Sequence, residues 1–258
     1  FYWPLTVIIA AATPLTFAPY YHFWLMPLLF GGLVRLIELK PHRAVRSAYW
    51  FGLIGYTAQF WWIHTALHGI AKLPEYFAIP LTLLLPAFLG LYPALAFWLY
   101  RRFRLPRNVG LGIGLPMLWT LTEFARERLL TGFGWGALGY SQIAENSPLA
   151  GFAPLGGIHL VTFATALVGT WLVLLFNSQT AKPRIAAAIG IVAILLSGCL
   201  LRTIAFTQPT GSPTTVALAQ GNIEQRLKFT PNQLLPTYQR YLSQVAATRA
   251  QIVILPET

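Results

Sequence analysis

The sequence predicts a multi-span α-helical membrane bundle over residues 1–206, a short linker at 207–213, and the truncated start of an α/β domain at 214–258. Three observations predict this. Of the 258 residues, 56% are hydrophobic and 10% charged, against about 25% charged in an average soluble domain. The apolar residues fall in runs long enough to cross a hydrocarbon core, which takes roughly 20 residues of helix. After Phe206 these runs give way to TQPTGSPTT, a Pro/Gly/Ser/Thr linker, and then to a strand–helix–strand pattern.

Seven runs read as spans, at about 4–20, 23–39, 48–70, 77–100, 109–128, 157–177 and 184–206. The chain opens on FYWPLTVIIAAATPL, already apolar and without an initiator Met. It lacks the basic segment and small-residue cleavage site of a signal peptide, so this run reads as a membrane helix. Both chain ends are expected to be truncated. FAPYYHFW makes a tight aromatic turn between the first two runs. The fourth run contains Pro80, Pro86 and Pro93, tolerated in lipid where neighbouring groups satisfy the freed carbonyls.

Charge predicts orientation. Arg35, Lys40, Arg43 and Arg46 lie between runs two and three. Arg101, Arg102, Arg104 and Arg107 lie between four and five, and Lys182 and Arg184 between six and seven. The opposite connections carry Lys72, Arg126 and Arg128. By the positive-inside rule the N-terminus is cytoplasmic, and an odd number of spans leaves the C-terminal segment outside. Net charge is +11, but the positive residues sit between apolar runs, which points to a membrane surface and no nucleic acid. The Trp, Tyr and Phe content fits an interfacial aromatic belt.

In the C-terminal segment VALAQGNI reads as a strand. PNQLLPTYQRYLSQVAATRA reads as an amphipathic helix, with Leu234, Leu235, Tyr238, Leu242 and Val245 on one face and Pro236 in the first turn. IVIL reads as a second strand, which completes one βαβ unit of a parallel sheet. So short a unit cannot enclose a core alone. Glu257 follows Pro256 at the carboxyl end of that strand, where α/β sheets gather their catalytic groups. A partly desolvated carboxylate there can serve as general base.

Other polar residues in the apolar half were weighed for function. Glu123, Arg126, Glu127 and Arg128 cluster at the outer end of the fifth run, at spacings that allow an ion pair along one helix. They either anchor the helix at the interface or contact a lipid head group. TGFGWGALGYSQ, ending at Gln142, reads as a structured outer loop that either caps the bundle or lines a substrate entrance. His64 and His68 have zinc-like spacing but no third ligand, so they read as interfacial polar residues. His22, His42 and His159 are isolated in the sequence. Gly110, Gly112 and Gly114 read as helix packing. Cys199, the single cysteine, sits in an apolar run as a small buried hydrophobe. No metal and no cofactor is expected.

The pattern as a whole resembles the opening of a nitrilase-superfamily domain, whose second strand ends in a Pro-Glu. Preceded by a multi-span bundle, it resembles the apolipoprotein N-acyltransferase family. LWTLTEFARERLLTGFGWGALGYSQ, LTFAPYY, QFWWIHTALHG and AQGNIEQRLKF look like further family segments, in order along nearly the whole chain. The resemblance implies a nitrilase-like α-β-β-α sandwich on the periplasmic side of the bacterial inner membrane. It implies a Glu-Lys-Cys triad in which Glu257 is the base. A Cys thiolate would take an acyl chain from a phospholipid acyl donor. The thioester would pass it to the α-amine of a diacylglyceryl apolipoprotein acceptor. Neither Lys228 nor Cys199 matches the other two triad members, so this chain alone is expected to be inert. Two other readings stay open: a membrane-anchored nitrilase-type amidase or acyltransferase with another amine substrate, and a non-enzymatic membrane scaffold or transporter.

Overall fold

The computed structural model describes residues 2–130, 132–224, 227–228 and 230–256. It is mainly helical. Helix α1 covers Tyr2–Ala11 and continues as a 3₁₀ turn, Thr13–Thr16. Helix α2 is Leu25–Leu39 and α3 is Ala44–Phe60; past Trp61 the third run tightens and then widens into a π-helix, Thr65–Ile70. Helices α4 (Glu75–Leu89) and α5 (Leu91–Phe103) meet at Gly90. A helical turn at Arg107–Val109 and a π-helical stretch at Gly110–Gly114 lead into α6, Leu115–Arg128. Helix α7 is Ala153–Asn177 and α8 is Ala181–Leu201. Each of the seven predicted runs is thus helical over most of its length. Among the described residues, three helical stretches are long and apolar enough to cross a membrane: Glu75–Phe103, Pro148–Asn177 and Ala181–Leu201.

The helices pack through small residues and one aromatic centre. Helix α2 runs along α7, α3 along α5, and α6 against both α5 and α7. At the α2–α7 crossing a Cβ on Gly31 would stand 2.7 Å from the carbonyl oxygen of Gly169. Glycine on both sides lets the two backbones touch, which increases dispersion contact where lipid offers no hydrophobic drive. Trp119 of α6 is the hub. The rings of Phe30, Phe51 and Phe97 meet it edge-on, with centroids at 4.9, 6.3 and 6.4 Å. Buried hydroxyls return to their own helices: Thr82 donates to the carbonyl of Ala78 and Thr165 to that of Val161. No water is needed to satisfy them.

The π-helical glycines have a concrete role. A side chain on Gly110 would collide with the Tyr100 ring, and the Gly112 carbonyl accepts a 2.9 Å hydrogen bond from Trp171 Nε1–H of α7. Helix α8 keeps Ile185, Ile189, Val192, Leu196 and Leu200 exposed along one stripe, as a surface facing hydrocarbon would.

After the linker, β1 (Val216–Leu218) pairs in parallel with β2 (Ile252–Ile254), with Val216 opposite Ile252. Helix α9, Pro231–Ala246, connects them. Both strands are shorter than the predicted runs. The expected placement of Pro236 needs correction. The helix begins at Pro231, so Pro236 lies in its second turn. Pro231 fills the first-turn position that tolerates a missing N–H. Leu234, Leu235, Tyr238 and Leu242 of α9 all remain exposed. The two strands form the nucleus of a sheet and not a complete layered domain.

Candidate functional site

The densest polar group in the bundle lies at the C-terminal end of α6. Glu123 is 3% exposed and needs full hydrogen bonding to be tolerated there. Trp119, one turn earlier, donates its Nε1–H to Oε1 at 3.0 Å. The Leu138 backbone N–H reaches both carboxylate oxygens, at 3.0 and 3.2 Å. Thr162 of α7 donates its hydroxyl to Oε2 at 2.9 Å while accepting the Gly139 N–H at 3.0 Å. Three segments far apart in sequence therefore converge on one carboxylate.

Leu138 and Gly139 belong to the loop after α6, which folds back over the helix end. The Phe133 N–H donates to the Arg126 carbonyl at 2.9 Å. Gly136 takes φ +73°, with its α-carbon so close to Gln59 and the Phe60 ring that a side chain would not fit. Gln142 closes the fold. Its amide donates to the carbonyl of Phe23 at 3.0 Å and to the Ser141 hydroxyl at 2.8 Å, and its oxygen accepts from Ser147 at 2.8 Å. Gln142 is 1% exposed. It ties the loop to the aromatic turn between α1 and α2.

Arg126 differs from these two. It is 2% exposed, and its guanidinium lies 5.2 Å from the centroid of the Tyr56 ring. Nη1 donates to the Trp135 carbonyl at 2.6 Å. Nε and Nη2 are buried without a hydrogen-bond partner among the described residues. Close by, Tyr56, Gln59, Trp119, Gly136 and Leu138 line a void of about 20 Å³, room for about one water. Of the three bundle candidates, Glu123 and Gln142 have their hydrogen-bonding capacity filled by the chain itself. Arg126 alone among them retains buried donors that a polar guest could engage.

The ion pair expected along α6 forms only between the neighbours Glu127 and Arg128, and the shorter contact of Glu127 crosses to another element. Glu127 pairs with His159 of α7 at 2.8 Å and approaches Arg128 at 4.0 Å, so His159 is not isolated. Sequence reasoning also missed Glu75. The turn after the π-helix brings it 2.8 Å from His64 Nε2 and 3.5 Å from His68 Nε2. His68 Nδ1–H donates to the Leu73 carbonyl at 2.9 Å. This cluster ties the end of the third run to the start of α4. Among the described residues, no group of three His, Cys, Asp or Glu is placed to hold a metal. Cys199 is exposed on α8, not buried as expected. The thin stripe of α8 that meets the bundle passes through Gly198 instead. Glu257 lies outside the described residues; β2 ends at Ile254, with Leu255 and Pro256 following.

The family description for the apolipoprotein N-acyltransferase N-terminal domain matches residues 9–171, the stretch that contains the end of α1, all of α2 to α6, the folded-back loop and most of α7. The chain belongs to the apolipoprotein N-acyltransferase family. An apolipoprotein N-acyltransferase of Neisseria meningitidis serogroup B is 64% identical over 258 residues, covering 100% of this chain and 50% of the relative. One from Chromobacterium violaceum is 48% identical, covering 98% of this chain and 50% of the relative. One from Vibrio cholerae serotype O1 is 35% identical, covering 96% and 49%. The chain thus spans about half the length of the curated relatives it matches. All of the Glu123–Arg126–Gln142 cluster falls inside the part that defines the N-terminal domain of apolipoprotein N-acyltransferases.

Proposed function

We propose that this chain is the membrane half, with the first strands of the extramembrane domain, of an enzyme that moves a fatty acyl chain from a phospholipid to the N-terminal amine of a diacylglyceryl-cysteine apolipoprotein. The observation that carries the reading is the 64% identity to an apolipoprotein N-acyltransferase along the entire chain. The parallel β1–β2 pair ending just before Pro256-Glu257 supports it. In this reading Glu257 is the general base. It takes the proton of a Cys thiol, supplied with a Lys by the rest of the longer gene product, as the thiolate attacks the acyl ester. It gives that proton to the departing lysophospholipid alkoxide, takes one from the incoming amine as the amide forms, and returns it to the released Cys thiolate. The domain belongs to the nitrilase-like class and faces the periplasm. The bundle crosses the inner membrane seven times.

The division of labour has a physical reason. Both substrates carry acyl chains, and each CH₂ moved from lipid to water costs about 0.8 kcal/mol. A catalytic domain resting on a helical bundle meets both substrates at the interface without extracting either. The unpaired Nε and Nη2 of Arg126, near the interface, suit an ester or phosphate oxygen of a lipid head group.

The test uses the full-length gene product in vesicles, with a fluorescent phospholipid and a diacylglyceryl-Cys peptide. Glu257→Gln should cut peptide acylation by roughly 10²–10⁴-fold and prevent a hydroxylamine-sensitive acyl-enzyme from forming. Transfer at the parental rate in Glu257→Gln would remove Glu257 from the mechanism. Absence of peptide acylation by the parent would remove the proposed reaction.

A further inference from the structure

At the opposite end of the bundle from Arg126 lies a cavity of about 630 Å³. It is walled by the C-terminal ends of α2, α5 and α7, the turn at Arg107–Val109 and the segment entering α8. The separation follows from the helix itself: nineteen residues from Arg107 to Arg126 rise by roughly 28 Å. The proposed reaction gives this cavity no task.

Three guanidinium groups line it, those of Arg35, Arg101 and Arg107, against one carboxylate, Glu38. Glu38 is already engaged. Arg107 grips it with Nε at 2.6 Å and Nη2 at 3.0 Å, and Arg35 stands 3.6 Å away. Arg107 Nη1 also donates to the Ser178 hydroxyl at 3.2 Å. This latch fixes the cavity's back wall and leaves its net charge positive. Arg101 lines the same space and has no hydrogen-bond or ion-pair partner among the described residues. Asn108 adds an amide to the lining, while Phe97 and Leu111 supply an apolar floor.

The lining selects a ligand. Surplus guanidinium charge with amide donors suits a phosphate group. The apolar floor suits a glycerol backbone and the start of an acyl chain, which free phosphate lacks. The cavity sits at the basic end of the bundle, where the arginine-rich loops meet the membrane surface. We propose that it binds the phosphodiester head of an anionic phospholipid, held by Arg101 and Arg35 above the Arg107–Glu38 latch. The bound lipid bridges α2, α5 and the entrance to α8, and so stabilises this end of the bundle.

The experiment is native mass spectrometry of the full-length protein in mild detergent. It is titrated with phosphatidylglycerol, with phosphatidylcholine, and with phosphatidylglycerol in the presence of inorganic phosphate. One phosphatidylglycerol should bind at least roughly tenfold more tightly than phosphatidylcholine, and Arg101→Gln should erase about that factor while Arg101→Lys keeps part of it. Arg101 makes no hydrogen bond or ion pair among the described residues, so the melting temperature without added lipid should not change. Asn108→Asp provides a second variant. An acid in a first helical turn is compatible with folding, yet it should repel the phosphate and weaken binding similarly. Equal affinity for the two lipids, or parental binding by both variants, would overturn the proposal. Displacement of phosphatidylglycerol by millimolar inorganic phosphate would reduce the cavity to a simple anion site and equally overturn it.

Discussion

Glu123 and Arg126 sit one turn apart on α6, equally buried, and their surroundings assign them different work. Three donors from α6, α7 and the loop converge on Glu123, so the residue holds structure together. Glu123→Ala would leave the Trp119 indole N–H, the Leu138 amide and the Thr162 hydroxyl without their acceptor, at about 1–3 kcal/mol for each unpaired group. Glu123→Gln keeps one acceptor oxygen but turns an NH₂ toward donors, so it should cost less. Thermal unfolding in detergent should rank parent above Gln above Ala, with proteolysis of the 132–142 loop increasing in the same order. An unchanged midpoint for Glu123→Ala would contradict the latch. Arg126 should behave differently. Its removal loses one hydrogen bond and the Tyr56 ring contact but relieves two unpaired buried nitrogens, and a hydrophobic replacement of a buried charge is often neutral or stabilising. Arg126→Met should therefore keep the melting temperature while lowering acyl transfer by the full-length enzyme at least roughly tenfold, the worth of one charge-assisted hydrogen bond to substrate. Full activity in Arg126→Met would make it a packing residue. Little of this contrast was legible in the sequence. The i,i+4 spacing of Trp119 and Glu123 was visible, but Leu138 and Thr162 lie 15 and 39 residues away, and no local pattern links them. A separation of 11 residues likewise hid Glu75 from His64.

The helices were the most legible level, because each run's apolar length fixes its fate in lipid. Their interruptions were less so. The π-helical turns at Thr65–Ile70 and Gly110–Gly114 depend on contacts from other helices, such as Trp171 reaching the Gly112 carbonyl. The kink in α7 shows another local device. Gly156 (φ −151°, ψ 23°) and Gly157 (φ 60°, ψ −158°) break the helical path. The region occupied by Gly157 is open essentially to glycine alone. A Cβ at Gly157 would meet nothing within 4 Å, so Gly157→Ala isolates backbone strain from crowding. It should cost about 1–3 kcal/mol, read as a lowered melting temperature in detergent. A neutral result would mean that α7 can start as a regular helix. Helix α9 was legible through its apolar stripe and its start at Pro231, but not the turn in which Pro236 falls. Thr230 and Pro231 set the boundary, which puts Pro236 in the second turn and not the first.

At the scale of the whole molecule, charge and packing point the same way. The end that gathers Arg35, Arg101 and Arg107 into one cavity is also the end whose loops and flanking helix turns carry Lys40, Arg43, Arg46, Arg102, Arg104, Lys182 and Arg184. At the other end Arg126 is buried, Arg202 is occupied by the carbonyls of Glu145 and Ser147, and Lys72 and Arg128 remain. Basic loops are retained on the cytoplasmic side during insertion, so the asymmetry predicts a cytoplasmic N-terminus and an outer C-terminal segment. Site-directed labelling can read this directly. In a Cys199→Ala background, Asn146→Cys near the folded-back loop should react with a membrane-impermeant maleimide on intact spheroplasts. Arg104→Cys, in the turn after α5, should react only once the membrane is permeabilised. The opposite pattern would place the β1–β2 segment and Glu257 in the cytoplasm, away from acceptors presented on the outer surface. The proposed acceptor would then be wrong, even though the fold and the family would stand.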